Sequence, residues 1–248
     1  EPLTLVFENE ETNEIIKEFK LDFKFVDVSL RGRNQKVNAW IFGDSHIGHL
    51  VKDIDYDKLE YPNIRINPIT KVGLTMNRFL NSEYLYYLDC FPIHDKDLLL
   101  FNLGEIDMRM SIHVKSHNKQ KSKVDILNEI LNKYFTSLKL IQAKYPNNFI
   151  IILRPNSPIG NDHLYSEDYK QDYFAHSNKT DRKKLNEIFN QRVEEFIIQN
   201  PNFYYIDNND NFQDKEGFVK SELLIQDDIH MKSNKFYFDS LYQHLKAI

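Results

Sequence analysis

The sequence predicts an α/β protein: one three-layer α/β/α sandwich built on a parallel sheet, preceded by a small β appendage. Three observations carry this reading. Short apolar runs recur at residues 37–42, 64–66, 97–103, 149–153 and 203–206, amphipathic helical stripes lie between the later ones, and the 248 residues, 41% hydrophobic, suffice to bury one sizeable core. Strands alternating with helices form parallel sheets covered on both faces, and such sheets gather ligands at the carboxyl ends of their strands.

Taken in chain order, residues 1–35 form the appendage. Segments 3–7 and 23–28 alternate apolar and polar residues, and the polar stretch 8–13 between them reads as a turn. Residues 31–35 mark a boundary, and 36–248 form the main domain. A helix is expected over 124–145, where Leu127, Leu131, Tyr134, Leu138 and Ile141 recur at steps of four and three. A second is expected over 181–199, with Leu185, Phe189, Val193 and Phe196 on one face and Thr180 as N-cap. Residues 155–179, with Pro155, Pro158, Gly160 and several tyrosines, follow a strand directly and read as a long loop at the active edge, a lid. Trp40 and Cys90 are assigned to packing.

Composition removes several function classes. The 32 Lys and Arg against 37 Asp and Glu give a net charge of -5, which argues against a protein that grips nucleic acid over its whole surface. One cysteine excludes a disulfide framework within the chain and a cysteine-rich zinc site. The longest apolar stretches fall far short of the ~20 residues that a membrane-spanning helix needs. The chain is expected to be soluble, with the cytoplasm favoured and the oligomeric state open. It opens at Glu1 and not at Met, so targeting cannot be read from its start.

The chemistry concentrates at two places. Strand 37–42 runs into Gly43, Asp44 and Ser45, which sets a serine hydroxyl just past an apolar strand, at a turn that Gly43 permits. Near the other end, Asp227, Asp228, Ile229 and His230 put a carboxylate three residues before an imidazole, so a base and its orienter arrive in one loop. Serine is a poor nucleophile until a base removes its proton, and the base works best when a carboxylate fixes its tautomer. Ser45, His230 and Asp227 supply these roles, with Asp228 as the alternative orienter. Asp44 is expected to brace the turn, and His46 and His49 to be structural or to face substrate.

With these residues the sequence resembles the SGNH (GDSL-type) hydrolase family, over about residues 37–235. Four blocks follow in the family's order: Gly43-Asp44-Ser45, then Gly73, then Gly104-Glu105-Ile106-Asp107, then Asp227 to His230. The resemblance implies a flavodoxin-like sandwich, acyl-serine chemistry without metal or organic cofactor, and oxyanion donors from the backbone N–H groups of Ser45 and Gly73. The family's third block carries an asparagine donor where this chain has Ile106, which cannot donate. Losing one such donor costs about 100- to 1000-fold in rate. Either Arg109 or Asn102 takes its place, or turnover is weak or absent. The Gly104-Glu105-Ile106-Asp107-x-Arg109 form resembles a branch associated with surface-glycan and polysaccharide loci. It implies an acyl, foremost acetyl, ester of a carbohydrate as substrate, through hydrolysis or transfer to a sugar hydroxyl.

Arg109 and Asp107 are accordingly expected on the substrate side, where a guanidinium clamps an anion or steadies an oxyanion. The alternative for Arg109 is an internal ion pair with Glu105 or Asp107. The basic run 113–123 reads as a loop after the same strand, either drawing in an anionic substrate or merely solvated.

Two rival readings stand beside the esterase. Asp44, His46, Glu105, Asp107, His113, His117 and His230 include the ligand types of a metal-dependent phosphoesterase, and Asp44-x-His46 resembles the calcineurin-like opening, although that family's Gly-Asn-His block is missing. The other rival is a catalytically degenerate SGNH-like module that binds a glycan or a partner protein, motivated by Ile106.

Overall fold

The computed structural model describes residues 3–8, 15–21, 36–79, 87–160, 177–226 and 228–248. The chain divides into two compact units, Glu1–Gln35 and Lys36–Ile248. In the first, β1 (Leu3–Glu8) and β2 (Ile15–Leu21) pair antiparallel, with Leu3 opposite Leu21 and a register shift at Phe7/Glu8. The strand Ile15–Leu21 is one that the sequence reading does not name, and the expected segment 23–28 lies outside the described residues. Ile15–Leu21 carries three charged residues, which obscured its alternation.

The second unit holds a five-stranded sheet in the order β4-β3-β5-β6-β7, with every neighbouring pair parallel. Its strands are β3 (Val37–Gly43), β4 (Ile64–Thr70), β5 (Leu98–Asn102), β6 (Phe149–Leu153) and β7 (Phe203–Ile206). The helices are α1 (Ser45–Val51), α2 (Ile112–Lys119), α3 (Lys123–Lys144), α4 (Lys179–Gln199) and α5 (Lys235–Leu245).

Period-two alternation sorts the sheet's side chains into two apolar layers. On one face Leu99, Phe101, Ile150 and Ile152 pack with Leu127, Leu131 and Tyr134 of α3 and Leu185, Phe189 and Val193 of α4. On the other, Leu98, Leu100, Ile151 and Leu153 pack with Ile47 and Leu50 of α1 and Phe238 and Leu241 of α5. All of β5 is buried, as a central strand covered on both faces must be. This is the expected α/β/α sandwich. Among the described residues no helix is long and apolar enough to cross a membrane.

Four local expectations are corrected. Strand β4 continues past residue 66 through Pro68, because β4 is an edge strand and a missing N–H is tolerated there. The N-cap of α4 is Asn178, whose side chain accepts from Asp181 N at 2.9 Å, so Thr180 lies inside the helix. The basic run is mostly helix α2, not loop, and His113 at its start is fully buried, in contact with the Met108 carbonyl at 2.8 Å. Cys90 is exposed, whereas Trp40 is in the core with its indole N–H on Asp97 at 2.9 Å.

The chain leaves β3 for β4 on one side, then crosses to β5 on the other. Their carboxyl ends flank the topological switch point, where open α/β sheets form a ligand crevice.

Candidate active site

The nucleophile corner is set by two residues. Strand β3 ends at Gly43, where an added Cβ would lie 2.4 Å from Ile47 Cγ1, so only glycine lets α1 fold back this closely. Asp44 then caps α1, its side chain accepting from His46 N at 2.9 Å. Ser45 is the first helical residue, at the switch-point crevice.

The opposing loop is held by a bridge between Leu224 and Met231, by Ile225 N–H on the His230 carbonyl at 2.9 Å, and by Asp228 N–H on the Ile225 carbonyl at 3.2 Å. It brings His230 Nε2 to 2.9 Å from Ser45 Oγ across 185 positions of sequence. On the far side of the ring, Nδ1 stands 2.7 Å from Asp228 Oδ1, which also accepts the Ile229 and His230 backbone N–H groups at 2.6 and 3.2 Å. A carboxylate only accepts, so Nδ1 carries the hydrogen and Nε2 presents its lone pair to the serine hydroxyl. Asp228 stands in the orienter's position; Asp227 lies outside the described residues. Burial works against the Asp228 carboxylate, but the hydrogen bond from His230 and its charge prevail and hold the pKa below the ordinary value. The His230 pKa is lowered, first by burial and then by His46, against the opposing pull of Asp228. The rings of His49 and His46 flank His230 at centroid separations of 4.0 and 4.7 Å, the first nearly parallel at 16°.

Gly73 sits on the turn after β4 at φ +71°, a left-handed backbone that favours glycine. Lys71 N–H donates to the Gly43 carbonyl at 2.9 Å, which ties this turn to the nucleophile corner.

The third block departs from expectation. Asp107 is fully buried, and its Oδ2 accepts Met76 N–H at 2.7 Å. It therefore braces the Gly73 loop from within instead of facing substrate. Burial outweighs the backbone hydrogen bonds and pushes its pKa up to about 7. Arg109, also buried, donates Nε to Glu105 Oε1 at 2.7 Å, the internal ion pair weighed as its alternative. The Asn102 amide donates to the Arg154 carbonyl at 3.2 Å, and Ile106 is buried. Asp107 to Ser111 form a π-helical turn, a feature that often marks functional sites.

Among the described residues, the one group with metal-ligand spacing is Asp44, His46 and Glu105. One ligand atom from each lies within 4.8 Å of the others, but the two carboxylates address opposite nitrogens of one ring, Asp44 at 3.0 Å from Nδ1 of His46 and Glu105 at 3.3 Å from Nε2, an arrangement of ion pairs around the imidazole. Of the other phosphoesterase candidates, Asp107, His113 and His230 are engaged by Met76, Met108 and Ser45 respectively, and His117 lies in the last turn of α2. Glu105 as partner of His46, and His49 as the ring stacked on His230, had no signal in sequence spacing.

No protein-family model and no curated protein matches the sequence. Solved structures do match. A proposed platelet activating factor from Streptococcus pneumonia superposes with a TM-score of 0.57 at 19% identity, covering 89% of this chain and 86% of that one. A GDSL-like lipase from Bacteroides thetaiotaomicron gives 0.56 at 13% identity, covering 85% and 86%. A proposed lipolytic protein of the G-D-S-L family from Desulfitobacterium hafniense gives 0.52 at 11% identity, covering 86% and 100%. At these identities the likeness concerns architecture. The chain has the α/β fold of SGNH (GDSL-type) hydrolases, with Ser45 and His230 in contact at the crevice of its sheet.

Proposed function

We propose that the protein is a serine esterase or acyltransferase acting on acyl esters, foremost acetyl esters, of a carbohydrate. The observation that carries this reading is the continuous chain from Ser45 Oγ through His230 to Asp228, at 2.9 and 2.7 Å. Ser45 Oγ attacks the acyl carbonyl carbon while His230 Nε2 takes the hydroxyl proton, and Asp228 steadies the imidazolium that forms. The tetrahedral adduct collapses as His230 returns the proton to the departing sugar oxygen. The acyl group then rests on Ser45 until water or a second sugar hydroxyl, deprotonated by His230, takes it away. The backbone N–H groups of Ser45 and Gly73 serve the oxyanion.

The carbohydrate assignment rests on the Gly104-Glu105-Ile106-Asp107-x-Arg109 resemblance. It is supported by a cavity of about 830 Å³ bounded by Leu224, Ile225 and Gln226, the segment that pairs with the His230 loop. Neither Ser45 nor His230 lines it; its wall is mixed, with Gln213, Lys220, Ser221 and Glu222 beside Ile159 and Phe218, so it offers hydrogen-bonding groups to a sugar's hydroxyls and an aromatic face to its ring.

The test is release of acetate from acetylated oligosaccharides and from p-nitrophenyl acetate by wild type and Ser45→Ala. The substitution should lower the rate by at least about 1000-fold while leaving the thermal midpoint unchanged. Ile106, together with the engaged side chains of Asn102 and Arg109, favours the second reading, a binding module without turnover. That reading prevails if wild type and Ser45→Ala bind glycan equally and neither releases acetate.

A further inference from the structure

Four ionisable side chains, Asp44, His46, Glu105 and Arg109, lie behind the nucleophile at 1 to 8% exposure. Burying charges is costly unless they are paired, and here the pairing runs in one line. Arg109 Nε meets one oxygen of Glu105 at 2.7 Å, the other oxygen lies 3.3 Å from His46 Nε2, and His46 Nδ1 lies 3.0 Å from Asp44. Among the described residues, His46 Nε2 and Glu105 Oε2 have no aligned hydrogen-bond partner, so each is the other's nearest compensation.

A carboxylate has no hydrogen to give. A neutral His46 would therefore turn a bare lone pair toward one of two buried carboxylates, whereas an imidazolium offers N–H to both. Asp44 also accepts the His46 backbone N–H at 2.9 Å, which fixes the residue next to Ser45. The ring so held faces His230 at a centroid distance of 4.7 Å.

We propose that His46 is a permanent imidazolium, clamped between Asp44 and Glu105, that acts as a positioning residue for His230 and keeps that ring in its neutral, proton-accepting form. The inference deepens the serine-esterase reading and rests on His230 as its base. It assigns a task to the Asp44–His46–Glu105–Arg109 line, whose two positive and two negative groups sum to zero and none of which needs to touch substrate. Burial opposes the charge on His46, but Glu105 and Asp44 overcome it and raise its pKa, with Arg109 pulling the other way. His230 in turn is faced by His46, His49, Asp228 and Glu105; the two carboxylates favour its protonation, and the charge on His46 makes it harder. Removing a unit charge 4.7 Å away in a partly buried site should raise the His230 midpoint by about 1 pH unit.

The experiment is a ¹⁵N NMR titration of the histidine rings in the wild-type chain and in His46→Gln, with the pH dependence of kcat/KM measured alongside. In wild type at pH 7.5 both His46 nitrogens should carry hydrogen. In His46→Gln the His230 midpoint should rise by about 1 unit, and the acid limb of kcat/KM should move with it. A wild-type His46 with one unprotonated nitrogen overturns the proposal, as does a His230 midpoint that stays within about 0.2 unit or a His46 nitrogen that takes up added Zn²⁺. The wild-type nitrogen signals need no variant, so poor folding of His46→Gln leaves the proposal exposed to refutation. The titration also needs no turnover: an inactive protein whose His230 midpoint still rises in the variant refutes the esterase reading and upholds the charge on His46.

Discussion

Replacing Asp107 with asparagine should abolish a steep loss of stability between mildly acidic and neutral pH. The carboxyl is fully buried, accepts Met76 N–H at 2.7 Å, and has its pKa raised from 3.8 to about 7 by burial, with Asp44 adding to the rise and Lys115 opposing it. The folded chain therefore keeps a proton there that the unfolded chain gives up, and folding is favoured most below the unfolded pKa. As pH rises from about 4 to about 7 this contribution is lost, and above that it is flat. A shift of about 3 units at about 1.4 kcal/mol each comes to roughly 4 kcal/mol. Asparagine keeps an oxygen for Met76 N–H and stays neutral throughout. Urea unfolding of both proteins at intervals from pH 4.5 to 8 should show Asp107→Asn gaining on wild type by several kcal/mol across that window. Parallel stability profiles for the two chains would refute the assignment of a buried, proton-retaining carboxyl beneath the Gly73 loop.

Three further outcomes follow from the site and its frame. Asp228→Asn should lower kcat by about 100- to 10,000-fold by releasing the His230 tautomer, whereas Asp227→Asn should stay within a few-fold; steady-state kinetics on the two variants decides which carboxylate orients the ring. Gly43→Ala forces a Cβ to within 2.4 Å of Ile47 Cγ1 and should cost about 1–3 kcal/mol, read from the urea midpoint. Arg109→Met removes the cation that meets Glu105 at 2.7 Å and should cost about 3–5 kcal/mol, a loss that Glu105→Gln in the same chain partly restores.

Much of the fold is legible in the sequence alone. Residues 149–153 and 203–206 read as strands with the observed bounds, because a short apolar run between turn residues has few other ways to be buried. The stripes of α3 and α4 were equally plain, and their buried faces are the ones the spacing named. Errors arose where a local rule allows two answers. Asn178 and Thr180 can both cap a helix, and the chain's entry direction decides between them. Pro68 ends a central strand but not an edge strand, and edge position is a property of the sheet order. The run 113–123 reads as loop because charged and polar residues dominate it, and the two positions that bury the start of α2 are Ile112, just before the run, and His113, whose polar side chain gives no sign of burial.

The site divides in the same way. Ser45 and His230 stand out because a glycine-bounded serine after a strand and an acid-rich turn before a histidine each have a local pattern. Asp227 and Asp228 are adjacent, and only the loop's conformation turns one carboxylate toward Nδ1, so spacing alone left the choice open. The meeting of His46 with Glu105, 59 positions on, arises from the parallel pairing of β3 with β5, which no neighbouring residue announces. Order in the motif puts Asp107 on the substrate side and leaves Arg109 open between substrate and an internal ion pair; the π-helical turn holds Asp107 on Met76 N–H and Arg109 on Glu105.

Incubation of the intact protein with a fluorophosphonate, followed by whole-protein and peptide mass spectrometry, tests the nucleophile without any choice of substrate. One equivalent of phosphonyl mass on Ser45 in wild type, with labelling slowed strongly in His230→Ala, is the predicted result. Wild type that stays unmodified under conditions that label an ordinary serine esterase, or that is modified at a different residue, contradicts it.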